Sequence, residues 1–213
     1  LKRTPNMSKL AFFARKNRDH ALFIIDANTG KFLQEVEIPL DQAFSPNFSA
    51  DGKTVYFSAA QNIQRDVYSI NLENRELKNL TNGGVFNSAP RVSPDGTKVA
   101  YVAFVGGFQK LFLLDLATDN KKQLTFGRWN DNSPSLSSNS QTLVYTSDYK
   151  DQIWNLYTLD PVTRVNKQWT EYYGGVFTPK FVPGENDRVL YSSYLEEDQF
   201  MSFIYPNFEL FDV

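Results

Sequence analysis

The chain returns to one phrase about every 44 residues. It reads PNFSADGKTVYFSA from Pro46, PRVSPDGTKVAYVA from Pro90 and PSLSSNSQTLVYTS from Pro134. The prolines are 44 and again 44 residues apart, and a further 45 lead to Pro179, where the text becomes PKFVPGENDRVLYSS. Reading backwards, PNMSKLAFFA from Pro5 matches once three turn residues are deleted between Ser8 and Lys9. Five units of nearly one length restrict the chain to architectures in which each unit is a supersecondary piece that buries its apolar faces against its neighbours.

The third unit can be parsed from its residues. Residues 89–93 make a short strand of small side chains, and Pro94-Asp95-Gly96 a turn in which Pro presets φ and Gly accepts a positive one. Residues 98–104 (KVAYVAF) and 110–116 (KLFLLDL) are apolar on both alternating faces, as strands must be when neighbours cover both sides. A second tight turn, DLATDN at 115–120, leads into KKQLT at 121–125, a more polar strand suited to an outer rim. That turn recurs as DANTGK from Asp26, NLENRE from Asn71 and DPVTRVNK from Asp160. Strand and turn alone at this period predict an all-β chain, a β-propeller of four-stranded antiparallel blades. The expected organisation is a single array, 1–213, with blades at 5–45, 46–89, 90–133, 134–178 and 179–213. Five visible repeats fit either a complete five-bladed ring or part of a ring of six or more.

The phrases SPDGTKVAY at 93–101 and SADGKTVYF at 49–57, followed by the strand LFLLDLATD and the ending QLT at 123–125, resemble the TolB-type β-propeller repeat. The likeness extends over essentially the whole chain. It is strongest in units two and three; in the fourth SSNSQ replaces the turn, in the first the turn is deleted, and in the fifth it becomes VPGEND. The resemblance implies a six-bladed periplasmic, or otherwise extracytoplasmic, propeller that serves as a protein-docking platform of the bacterial envelope, or a propeller attached to another domain. Five units against six, and a chain that opens at Leu1 without Met, lead us to expect a processed or partial chain.

Composition narrows the partners. With 22 Lys and Arg against 24 Asp and Glu, and no long basic block, the chain lacks the electrostatic footprint of a nucleic-acid binder. No apolar run in this segment approaches the roughly 20 residues of a membrane-spanning helix. The absence of Cys excludes disulfides and thiolate metal sites. The single His20 has no second His to complete an imidazole site, so no metal and no cofactor is expected.

In an up-and-down blade the one-to-two and three-to-four turns lie at one end, and the two-to-three loops and blade connections at the other. The first set is stereotyped. The second reads as long and dissimilar loops, KNRDH (16–20), AAQNIQRD (59–66), VGGFQ (105–109), SDYKDQIWN (147–155) and YLEEDQ (194–199). Variation on a constant scaffold marks the expected binding end. Each connection carries an aromatic shortly before the proline, Phe44, Phe86, Trp129 and Phe177, whose recurrence suits a wedge between blades. The candidate partner-binding residues are Arg128, Trp129, Asn130, Asp131, Tyr149, Trp154, Tyr172 and Tyr173, since Tyr, Trp and Arg are enriched at binding hot spots.

No set of nucleophile, base and orienting group is visible, and neither GxSxG nor a phosphate-binding glycine motif occurs. Three functional classes follow. The first is a non-catalytic, TolB-like protein-binding propeller, a docking subunit or domain of an envelope complex, with protein partners at the long-loop end. The second is a substrate-recognition or gating propeller of a larger hydrolase, prolyl-oligopeptidase-like or another peptidase, whose catalytic domain lies outside this chain. The third, a five-bladed glycosidase, would need paired carboxylates near the axis, and the inner strands SPNFS, APRVS, SPSLS and TPKFV have none.

Overall fold

The computed structural model describes residues 2–3, 8–16, 19–83, 86–182, 184–185, 188–195, 198–205 and 208–211. The strands form five four-stranded sheets, in each of which spatial order follows chain order. The first sheet contains β1 (Lys2–Arg3), β2 (Lys9–Lys16), β3 (Asp19–Asp26) and β4 (Phe32–Ile38); the second β5 (Gln42–Phe48), β6 (Thr54–Gln61), β7 (Gln64–Asn71) and β8 (Leu77–Asn79). The third contains β9 (Asn87–Val92), β10 (Lys98–Val105), β11 (Phe108–Asp115) and β12 (Lys121–Gln123). The fourth contains β13 (Asp131–Leu136), β14 (Leu143–Ser147), β15 (Asn155–Leu159) and β16 (Asn166–Gln168), and the fifth β17 (Val176–Phe181), β18 (Val189–Leu195), β19 (Asp198–Tyr205) and β20 (Phe208–Phe211). By contact density the chain divides into two compact units, residues 1–92 and 93–213. Among the described residues no helix is long and apolar enough to cross a membrane.

The recurring Ser-x-Asp-Gly phrase is a hydrogen-bonded staple. Ser49 Oγ donates to Asp51 Oδ1 and Ser93 Oγ to Asp95 Oδ1, both at 2.5 Å, while the same serine oxygens accept from the Thr54 and Lys98 amides at 2.9 Å. In the fourth unit SSNSQ builds the same turn with Asn139, which accepts from Ser137 Oγ at 2.7 Å, and Ser140 takes φ 58° where the third unit has Gly96 at 72°. The second recurrent turn is closed by the first side chain's oxygen. Asp26, Asn71, Asp115 and Asp160 each accept from the amides two and three residues on. The Thr of the LT ending is fixed as well. The Thr81, Thr125 and Thr170 hydroxyls accept from the Val67, Leu111 and Leu156 amides at 2.9–3.0 Å, tying the rim of the second, third and fourth sheets to the third strand.

The inner strands carry a feature that residue types do not announce. The residue before the inner-strand prolines Pro46, Pro90, Pro134 and Pro179 is left-handed, Ser45 (φ 52°), Ala89 (50°), Ser133 (53°) and Thr178 (51°), and the register slips between Phe44 and Asn47, Asn132 and Ser135, and Phe177 and Lys180. This is a β-bulge. Proline supplies no N–H to a ladder, so it sits where pairing is interrupted. A hydroxyl on the second strand then bonds the carbonyl beside the bulge: Ser58 to Phe44, Thr146 to Asn132 and Ser192 to Phe177, at 3.2–3.4 Å. Strand pairing therefore starts ahead of the proline, at Gln42, Asn87, Asp131 and Val176.

In the second, third and fourth sheets the second and third strands are buried on both faces, as their continuous apolar runs require. In residues 1–92, Val55, Phe57, Ala59 and Val67 are fully buried; in residues 93–213, Val99, Ala100, Val102, Leu111, Leu143 and Leu156 are. Burying the Val, Leu and Phe side chains among them contributes about 1.5–3 kcal/mol each and sets the sheets as rigid supports for their connections.

Candidate functional site

The long connection 148–154, between β14 and β15, is held on both sides. On one side Asn130 donates its amide to Asp148 Oδ1 (2.6 Å) and its side-chain Nδ2 to Oδ2 (2.8 Å), and Asp148 returns its own amide to the Asn130 carbonyl (3.1 Å). Tyr149 meets Trp129 edge to face, ring centroids 4.6 Å apart and planes at 62°. On the other side Lys150 pairs with Glu171, and the Val176 amide donates to the Trp154 carbonyl at 2.7 Å. Between these anchors the tip turns back through two non-glycine residues with positive φ, Asp151 (56°) and Gln152 (60°), closed by the Ile153 amide donating to the Lys150 carbonyl. A primed turn built from Asp and Gln instead of Asn and Gly is strained, and it persists only because both flanks are pinned.

Two glycines make room for the aromatics. A Cβ on Gly127 would lie 2.0 Å from the indole of Trp129, so the ring packs directly on backbone; one on Gly174 would lie 1.9 Å from the Tyr194 carbonyl oxygen. The result is a surface from which Tyr149 and Tyr173 project, 59% and 95% exposed, with the Arg128 side chain also exposed. Trp129, Asn130 and Trp154 are half-buried within the bracing. Tyr172 is set further in. Its amide donates to Asn155 Oδ1 (2.9 Å), its hydroxyl lies 3.1 Å from that of Tyr191, and its ring packs on the cluster formed by Val144, Leu156 and Tyr191. The structure thus gathers Trp129, Asn130 and Tyr149 at one flank of the connection, and Trp154, Tyr172 and Tyr173 at the other.

Asp131 is not at the surface where it was expected. Its side chain and that of Lys110 are each 1% exposed and form an ion pair at 2.8 Å, with the ammonium 4.7 Å from the Trp129 ring centroid. Burial pushes the Asp131 carboxyl up, while the Lys110 ammonium and the Ser147 and Thr125 hydroxyls pull the other way. The field of Asp131 reaches its neighbours. Burial first and the Asp131 charge second raise the Tyr145 phenol above its ordinary value, and burial, with Tyr149 and Asp131 adding to it, pushes Tyr157 up to about 12. Within residues 1–92 the counterpart of this pair is Asp66 with Asn87. Asp66 Oδ1 accepts from Asn87 Nδ2 (2.9 Å) and Thr81 Oγ1 (2.7 Å), and Oδ2 from Asn79 Nδ2 (3.0 Å). The charged member has moved from one strand to the other and its new partner is a lysine.

The expectation of uniformly long two-to-three loops is also corrected. Stretch 59–66 is strand apart from a turn at Asn62 (φ 57°) and Ile63, with Gln61 paired to Gln64, and 105–109 turns through Gly106 (60°) and Gly107 (88°), with Val105 paired to Phe108. Positive φ at both central residues gives the Gly-Gly turn the twist a two-residue hairpin needs. The tips of the expected loops 16–20 and 194–199 lie outside the described residues. Among the described two-to-three connections, 148–154 alone is long. Its anchors Asp148, Lys150 and Glu171 carry no signal in the sequence: the register of β13 with β14 sets Asp148 beside Asn130, and the pairing of β15 with β16 leads the chain on to Glu171.

Four-stranded antiparallel sheets in chain order, with bulged inner strands in the second to fifth and doubly buried middle strands and stapled turns in the second to fourth, define the chain as a β-propeller protein built of blades. It belongs to the TolB beta propeller domain family, whose model matches residues 2–194. Over 84 residues the chain is 34% identical to the Tol-Pal system protein TolB of Francisella tularensis subsp. tularensis (strain WY96-3418), covering 38% of this chain and 19% of that protein. Its fold matches the crystal structure of TolB from Acinetobacter baumannii with a TM-score of 0.78 at 22% identity, over 96% of this chain and 51% of that one. A structure from a study of two prolyl endopeptidases is matched at a TM-score of 0.72 and 12% identity, over 96% of this chain and 33% of that one. The chain therefore spans about half of the matched TolB structure and about a fifth of the curated relative.

Proposed function

We propose that this chain is a non-catalytic docking propeller of a bacterial Tol-Pal type envelope system, working outside the cytoplasm, and that its partner is another protein of that system. The observation that carries the proposal is the braced aromatic surface at 148–154 and 171–175. Exposed Tyr149 stands on a connection pinned from both sides, and exposed Arg128 and Tyr173 stand on the two segments that pin it, which lowers the ordering cost of binding. No catalytic step is part of this reading. Asp115 and Asp160 are spent on their turns, and Asp131 faces Lys110. Isothermal titration of the purified chain against each soluble Tol-Pal component of the same organism tests it: saturable one-to-one binding to at least one is expected, and no binding to any would sink the proposal.

The likeness to the prolyl endopeptidase structure keeps a second reading, a propeller that gates or recognises substrate for a peptidase domain. The coding sequence flanking this segment separates the two. A GxSxG nucleophile motif next to this propeller would carry the peptidase reading.

A further inference from the structure

A second cluster of a cation with aromatic rings lies within residues 1–92. The guanidinium of Arg65, on β7, is sandwiched between two rings, its Cζ 4.7 Å from the centroid of Phe44 and 5.4 Å from that of Phe86. Phe86 is held there by a parallel bridge to Arg65 itself. The Nε atom is buried and has no hydrogen-bond partner, and among the described residues Arg65 makes no ion pair. Nearby carboxylates are engaged elsewhere. Asp41 Oδ2 accepts from the Asn62 amide at 2.6 Å, and Asp66 is bonded to Thr81, Asn87 and Asn79.

Lys110 provides the internal comparison. It too is packed on an aromatic face at 4.7 Å, and it has the Asp131 carboxylate at 2.8 Å. A cation stripped of water on its faces is stable when a carboxylate completes it, and Lys110 has one within its own unit. Arg65 has the same shielding without that completion. Its planar fork is locked by the two rings, the edge remains for bidentate bonding, and the rotamer entropy that an arginine ordinarily loses on binding has already been spent. Around it stand Ile63 at the hairpin tip, 90% exposed, and the partly exposed rims of Phe44 and Phe86.

We infer that Arg65, flanked by Ile63, Phe44 and Phe86, is a binding site for a carboxylate presented by a protein, an acidic side chain next to an apolar one. One cation among three apolar side chains suits a planar monoanion; a phosphate dianion would call for a cluster of cations, which this near-neutral chain does not supply. The inference does not rest on the surface at 148–154, and the two are tested separately.

Nuclear magnetic resonance on the full chain provides the test. The probes are the capped dipeptides acetyl-Leu-Glu-amide and acetyl-Leu-Gln-amide, with inorganic phosphate as a third. The Arg65 Nε–H resonance and the Asn62 and Ile63 amides should shift saturably with the Glu dipeptide, at least about fivefold more than with the Gln dipeptide at equal concentration, since hydrogen bonds to a charged group are about twice as strong as neutral ones. Arg65→Lys, which keeps the charge and loses the fork, should abolish the response of the Asn62 and Ile63 amides while the remaining spectrum is preserved. An equal response to the Gln dipeptide, a larger one to phosphate, or an unchanged one in a folded Arg65→Lys variant would each overturn the assignment. If that variant does not fold, the comparison of the three probes on the native chain decides.

Discussion

Asp131→Asn removes the counter-charge of a lysine that has no access to water. At 2.8 Å with both side chains 1% exposed, the pair attracts by about 6 kcal/mol at an effective dielectric of about 20, against which stands the desolvation of two ions. The native pair is thus worth little on balance, and its rupture is worth a great deal, because Lys110 is left buried without its counter-charge. Removing one partner of a buried pair costs about 3–5 kcal/mol, and the Trp129 face at 4.7 Å and the Phe126 carbonyl at 3.5 Å hold the loss near the lower end, about 3 kcal/mol. In urea that is a fall of about 1 M or more in the unfolding midpoint. The second half of the experiment is restorative. Lys110→Asp combined with Asp131→Asn transplants the Asp66–Asn87 arrangement, with Thr125 in the place of Thr81 to donate to the new carboxylate. The double variant should recover at least half of the loss, a coupling of about 1.5 kcal/mol or more in the cycle. A single variant within about 0.5 kcal/mol of the native protein, or a double variant as unstable as the sum of the singles, would refute the claim that this junction is a buried charge pair.

Acid should destabilise the fold through its turns. Amides and hydroxyls of the turn hold Asp26, Asp115 and Asp160 below the ordinary carboxylate range: the Thr29 amide at Asp26, the Thr118 hydroxyl at Asp115, the Thr163 amide at Asp160. Their stabilisation is complete above the unfolded value of about 3.9 and is lost as pH falls through the lower folded values. Asn71 closes the same turn without a charge, so replacing all three aspartates by Asn should flatten the fall in urea midpoint between pH 4 and pH 2; an unchanged slope would discard this origin. Asp131 titrates in the opposite sense, its raised value making ionisation a cost that appears as pH climbs through the folded value. At the fifth position of these turns Gly30 takes φ 70° and Arg75 62°, so Arg75→Gly relieves about 1 kcal/mol of left-handed strain against a comparable or smaller loss in chain entropy, and calorimetry should find it neutral to stabilising by about 0.5 kcal/mol. A clear drop in melting temperature would argue that Arg75 makes a contact worth more than its strain.

The repeat was legible because its chemistry is local. Ser, Asp and Gly within four residues close one turn, and Asp or Asn followed by Thr closes the other, so each unit carries its own punctuation in the sequence. The bulge was not legible, since Ser45, Ala89, Ser133 and Thr178 share a backbone state that none of these residue types prefers and that tertiary pairing imposes. Stretch 59–66 reads as a loop because Ile63 at a hairpin tip is no turn signal, whereas Gly106-Gly107 between two apolar runs is the signal of a two-residue hairpin. Asp131 was placed at the surface because its partner stands 21 residues earlier, on a strand whose apolar run masks Lys110 as an edge residue. Tyr149, Trp154 and Tyr173 were found by type alone; what holds them, the Asp148–Asn130 and Lys150–Glu171 pairs, depends on register.

The central claim concerns which end of these blades meets a partner. With the protein captured in the titrations above, affinity is measured for Tyr149→Ala and Tyr173→Ala at the long connection, and for Lys98→Ala and Val162→Ala at the short turns of the same unit. Val162 is 83% exposed, so it controls for the loss of an exposed apolar side chain as such. Each tyrosine variant should lose about 1–4 kcal/mol of binding, tenfold or more in Kd for most of that range, and neither control should lose more than about 0.5 kcal/mol. Equal losses from both pairs, or losses from Lys98 and Val162 alone, would contradict the assignment of the docking surface.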